Sequence, residues 1–182
     1  MFGKTLSAFP LSARVFCTLF FLGIGLGNLA AFTQAATAVG LSYREVADSL
    51  GPEMPMTHIA HGQMSGEKEI SLEEIRDTAK VWIRTPLLIQ TSHTHLFGQT
   101  LIAGLLGLIF LFSSVGERKK AIILSLPFVG TIMDIGAMWL TRFVWQSMAA
   151  LVLVGGSVFA LGYLLITAIS LYELWLKKEV SL

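Results

Sequence analysis

The chain has 182 residues, 54% of them hydrophobic and only 14% charged, with a formal net charge of +1. Soluble domains carry about 25% charged residues, so this composition, with a mean hydropathy of +0.70, excludes an ordinary soluble domain and makes a lipid bilayer the first partner. The near-zero net charge offers no electrostatic footprint for nucleic acid or for an acidic substrate.

The first apolar run spans about 15–37 and follows Lys4 and Arg14. A basic start, an apolar stretch and the small residues Ala35, Ala36 and Ala38 have the plan of a cleaved signal, but the run is longer than the roughly 7–15 residues of a signal's apolar core. An uncleaved anchor is therefore expected, with a cleaved signal as the alternative. Cys17, the single cysteine, lies in this run, so no internal disulfide and no C-x-x-C-H haem attachment can form. Any haem would be held non-covalently. Without an activating charge beside it, Cys17 reads as a small apolar packing residue.

Residues 38–91 are polar, with eight acids (Glu45, Asp48, Glu53, Glu67, Glu69, Glu73, Glu74, Asp77) against five bases (Arg44, Lys68, Arg76, Lys80, Arg84). "SYRE" and "SLEE" both have capping-box spacing and predict short helices near 43–50 and 72–83, the first stopped by Gly51 and Pro52. Between them lies a turn-rich loop containing His58 and His61, and Pro86 marks the join to the next apolar run.

Three more runs, about 92–114, 121–141 and 144–172, reach the roughly 20 residues that a helix needs to cross the hydrocarbon. The expected fold class is an all-α integral membrane protein. One domain, 1–182, forms a four-transmembrane-helix bundle, with 38–91 as a short helical extracytoplasmic insertion between helices 1 and 2. Lys4 and Arg14, then Arg118, Lys119 and Lys120, then Lys177 and Lys178 all fall on one side. The positive-inside rule makes that side cytoplasmic, with both termini, and puts 38–91 outside.

Asp134 stands in mid-membrane, where a charged side chain costs at least a few kcal/mol. Counting about 1.5 Å per residue puts Asp134, Gln99 and Asn28 at a common depth in the outer half, with His95 one turn above Gln99 on the same helix face. His93 is rotated about 200° from His95, so the two cannot face one interior point. Arg142, two turns beyond Asp134, is a candidate ion-pair partner, a clamp for haem propionates or a snorkelling interfacial residue. A purely structural role, in which Asn28, Gln99 and Asp134 only join helices, competes with a binding role. The mid-membrane glycines (Gly23, Gly25, Gly27, Gly98, Gly104, Gly107, Gly155, Gly156, Gly162) mark either close helix packing or room for a flat ring.

Three chemistries fit this pattern. His95 could ligate haem b, with His58 or His61 as the second axial ligand and His93 pairing the remaining one in a second centre. His95 and His61, with the i, i+3 pair His58 and His61, could bind a metal such as zinc. His95, Gln99 and Asp134 could instead hold a quinol head group and accept its protons.

The stretch "SHTHLFGQTLIAGLLGLIFLFSSV", the basic turn after it and "LPFVGTIMDIGAMWLTRF" resemble a family of small four-helix bacterial inner-membrane proteins found beside c-type cytochromes. The resemblance covers about 91–172 and the helix "LSYREVADSL", and is strongest at His93, His95, Leu96, Phe97, Asp134 and Gly136. It implies a bacterial inner-membrane, cytochrome-linked electron-transfer assembly, with haem b or quinone as cofactor and an extracytoplasmic c-type cytochrome or other complex subunits as partners. The alternatives are a non-catalytic anchor or assembly subunit that docks an outer partner, and a metal-binding transporter or sensor.

Overall fold

The protein is described by a computed structural model over residues 5–52 and 83–177. All regular elements among the described residues are helical: α1 (Leu11–Ala38), α2 (Tyr43–Leu50), α3 (Thr85–Phe110), α4 (Glu117–Phe143) and α5 (Ala149–Trp175), with short 3-10 turns at Leu6–Ala8 and Gln146–Met148. Four of these helices are long and apolar enough to cross a membrane. This is the all-α, four-span architecture that hydropathy predicts.

The boundaries differ from the predicted ones for identifiable reasons. The second span begins at Thr85, not 92, because Pro86 sits in the first helical turn, where its missing N–H costs nothing. His93 and His95 thus lie more than two turns inside a helix and not at its mouth. The last span begins at Ala149, not 144, since the chain passes Trp145 in an extended conformation before turning. The connection between the first two spans is accordingly 39–84. Within it, the predicted capping box of α2 is formed: Ser42 Oγ accepts from the Glu45 N–H, and Glu45 Oε2 accepts from the Ser42 N–H at 3.0 Å. The predicted helix near 72–83, His58 and His61 lie outside the described residues.

α4 and α5 form the tightest pair. A Cβ added at Gly155 would come within 2.5 Å of the Asp134 nitrogen, and one at Gly130 within 2.4 Å of the Phe159 nitrogen. Only glycine permits backbones this close. α3 packs on this pair with its buried residues Leu88, Ser92, Ala103, Leu106 and Phe110.

Two apolar clusters fill the ends of the bundle. At the basic end, Leu6, Cys17, Phe21, Leu106, Phe110, Tyr163, Ile166 and Leu174 pack together. Here Glu173, almost fully buried, accepts the Ser114 N–H at 2.8 Å and the Ser114 hydroxyl, and pairs with Lys177. At the other end α2 lies across the bundle, burying Val46, Ala47 and Leu50 against Leu88, Ala137, Ala149 and Val152. Gln146 Nε2 fixes it there by donating to the Ala47 carbonyl at 3.0 Å. Exposed Phe143 and Trp145 at the α2 end, and exposed Tyr172 and Trp175 at the basic end, have the placement of interfacial aromatic belts. The polar layer lies between the two clusters.

Candidate functional site

On α3, Leu88, Ser92, His95, Gln99, Ala103, Leu106 and Phe110 recur at steps of four or three. That period draws one stripe along a helix, and the buried members of the set show that the stripe faces the bundle. His95 and Gln99 are therefore inward residues one turn apart. His95 Nδ1 and Gln99 Oε1 are both buried, and neither has a hydrogen-bond partner among the described residues. Buried polar atoms are rarely left unpaired, because the lost solvation costs about 1–3 kcal/mol each. His95 and Gln99 place two such atoms in adjacent turns of one helix; Ser113, Thr167 and Ser170 carry others elsewhere in the bundle. His93 points elsewhere: it is exposed, with its ring 4.9 Å from that of Phe97.

The antiparallel register of α3 and α4 follows from two contacts, Trp139 Nε1 donating to Ser92 Oγ at 2.8 Å and Gly107 lying against Leu124. This register sets Asp134 level with Phe97, hence between His95 and Gln99 in height. Asp134 is only 9% exposed, on the α4–α5 seam beside Gly155. Its carboxylate has no hydrogen bond or ion pair within the described residues. Three polar side chains of the layer are thus brought to one level, and His95 and Gln99 each carry a buried polar atom without a hydrogen-bond partner among the described residues.

Two other predicted members do not join them. Asn28 was expected to arrive at the same layer, but α1 leaves the bundle before that height and Asn28 stands on a stretch whose neighbours are all exposed. Arg142 is buried beneath α2, where its guanidinium donates to the Ile83 carbonyl at the lead-in to α3. It serves the cap of the bundle and is not a snorkelling interfacial residue.

A family model, Aq_1264_TM, for a transmembrane helical domain matches residues 77–181. The chain belongs to this family. The Aq_1264_TM match contains α3, α4 and α5 entire, and so includes His95, Gln99 and Asp134 but not α1 or α2. No curated protein and no solved structure matches the chain.

The donor set can be compared with each cofactor. A bis-histidine haem needs two imidazoles, and among the described residues only His95 is turned inward, since His93 faces away. No group of three or more His, Cys, Asp or Glu comes together among the described residues to hold a metal ion. A neutral ligand that exchanges hydrogen bonds with one imidazole nitrogen and one amide oxygen fits what is present. Sequence reading overlooked Ser92 and Trp139, which close the layer on the α2 side. The stripe spacing carries a signal for Ser92, three residues before His95; the indole's partner is a tertiary fact with no local signature.

Proposed function

We propose that this chain is the membrane subunit of a cytochrome-linked electron-transfer complex and holds a quinol head group at His95, Gln99 and Asp134. The observation that carries this reading is the pair of buried, unpartnered polar atoms, His95 Nδ1 and Gln99 Oε1, one turn apart on the inward stripe of α3. A quinol offers two hydroxyl donors to such atoms. Oxidation of a quinol to a quinone releases two protons and two electrons. His95 Nδ1 takes one proton and the Asp134 carboxylate, at the same height, takes the other, while Gln99 holds the ring in place. The electrons leave singly to a one-electron acceptor, an extracytoplasmic c-type haem docked beyond α2. Basic residues at the opposite end, Arg14, Arg118, Lys119, Lys120 and Lys177, support a cytoplasmic placement of both termini in a bacterial inner membrane.

Haem b, were it bound, would be held by His95 and would supply the one-electron relay itself. A non-catalytic anchor is the second reading, favoured by the way α2 is clamped across the bundle as a rigid outer platform. One purification separates these. Chain extracted in mild detergent should yield close to one quinone per chain on solvent extraction, lost in His95→Ala and reduced in Gln99→Leu. A reduced-minus-oxidised difference spectrum with a b-type band would assign haem instead; a colourless, quinone-free and fully active complex would leave the anchor.

A further inference from the structure

The flank of the bundle at the height of the polar layer is not covered by α1. α1 is fastened along its basic-end half, where Cys17 and Phe21 are buried in the cluster around Leu106 and Phe110, and where Tyr163 donates its hydroxyl to the Phe21 carbonyl at 3.0 Å. From Leu26 to Ala35 every residue except Asn28 is exposed. Such a stretch covers nearly three helical turns, so exposure all round means that no other described helix lies against it.

The bundle surface that α1 leaves behind is bare. Gly156 precedes Tyr163, the α5 residue that grips α1, by seven positions, which at 100° per residue returns it to the same face. Gly98 precedes Ile102, which packs on the α1 cluster, by one turn. A Cβ built on either glycine meets nothing within 4 Å. The Ser114 to Glu173 bonds set the parallel register of α3 and α5, and that register brings Gly98 and Gly156 level with one another. They are then level with the polar layer too, since Gly98 lies between His95 and Gln99, and Gly155 touches Asp134.

Resting on the quinol reading, we propose that the lane between α1 and the Gly98–Gly156 surface is a lateral portal that receives the apolar tail of a lipid-borne quinone. A ligand that comes from the bilayer to this depth must pair a small polar head with an otherwise apolar body. Asp134 lies nine residues below Phe143, about 13 Å along α4, which is too deep for a phospholipid headgroup resting at the aromatic belt. The tail lies where the two glycines omit side chains, and the head reaches the inward imidazole and amide.

The test uses the full-length chain in phospholipid nanodiscs, with Trp82 and Trp145 replaced by Phe and Trp175 kept because its indole donates to Thr18 on α1, so that Trp139, hydrogen-bonded one turn from His95, reports binding by quenching above the constant emission of Trp175 at the basic end. Two probes are compared: a benzoquinone with a decyl tail and the same ring without it. A Cβ at either position meets nothing within 4 Å, so Gly98→Leu and Gly156→Leu are the substitutions that enter the lane, and far-ultraviolet circular dichroism of each variant checks that it has folded. Each should weaken the tailed probe by about tenfold or more, with the tailless probe within about twofold of the unsubstituted background. Unchanged affinity for the tailed probe in both variants would overturn the portal, and equal weakening of both probes would overturn the assignment of the lane to the tail. Failure of either probe to quench Trp139 in the unsubstituted background is a different result and removes the head-group reading itself.

Discussion

Gly155 and Gly156 are neighbours in sequence, yet alanine at the two positions should act with opposite sign. A Cβ at 155 would lie 2.5 Å from the nitrogen and 2.7 Å from the Cα of Asp134, both backbone atoms of α4 that cannot swing aside. Ordinary contact begins at 3.4 Å, so α4 and α5 must part by about 0.9 Å. A gap of about that size forfeits roughly a quarter to a half of the dispersion energy at each contact, and the seam also includes Gly130 on Phe159 and Gly162 on Pro127. Overpacking of this kind costs about 1–3 kcal/mol, and alanine's better helix propensity returns about 1 kcal/mol. Gly155→Ala should therefore destabilise the bundle by up to about 2 kcal/mol net. At Gly156 the added methyl meets nothing, so only the propensity acts and the variant should gain up to about 1 kcal/mol. Reversible unfolding in mixed detergent micelles, followed by far-ultraviolet circular dichroism, measures both. Shifts of the same sign in the two variants would refute the reasoning.

Ser92→Ala removes the acceptor of the Trp139 indole N–H and should cost about 1 kcal/mol in the same unfolding assay; a neutral result would mean that the indole finds another acceptor. Glu173→Ala strips the Ser114 amide and the half-exposed Lys177 of their buried partner, and a loss of about 1.5–3 kcal/mol is expected from the charge-assisted hydrogen bonds to Ser114, with Glu173→Gln retaining part of it. Tyr163→Phe deletes the hydroxyl that bonds the Phe21 carbonyl. That variant should lose about 1 kcal/mol and broaden the distance distribution between spin labels placed on Leu29 and Leu161, whereas an unchanged distribution would show that packing alone holds α1.

Hydropathy made the four spans legible because a helix crossing lipid must be long and apolar, a requirement that each segment meets by itself. Helical geometry separated His93 from His95 for the same reason: an angle around one helix needs no knowledge of its neighbours. Depth counting brought Gln99 and Asp134 to one height because α3 and α4 are joined by a short turn and stay in contact along their length. The same counting misled for Asn28, since height within a membrane says nothing about lateral distance, and α1 departs from the bundle just where Asn28 would have to join it. Arg142 was illegible because its burial depends on α2, which crosses over the bundle from a distant part of the chain. The glycines divide only in three dimensions. Gly155 and Gly162 hold two backbones together, while Gly98 and Gly156, identical in sequence character, face open space.

The fastening of α1 has a consequence for how the protein is made. Its bonds to the rest of the bundle span 142 residues from Phe21 to Tyr163 and 157 residues from Thr18 to Trp175. A helix that leaves the ribosome first must wait in lipid until nearly the whole chain has followed. The segments synthesised last, α4 and α5, already hold each other through their glycine seam, so they form the nucleus on which the oldest helix finally settles. Truncation in the last two turns of α5 should therefore be felt first at the amino terminus.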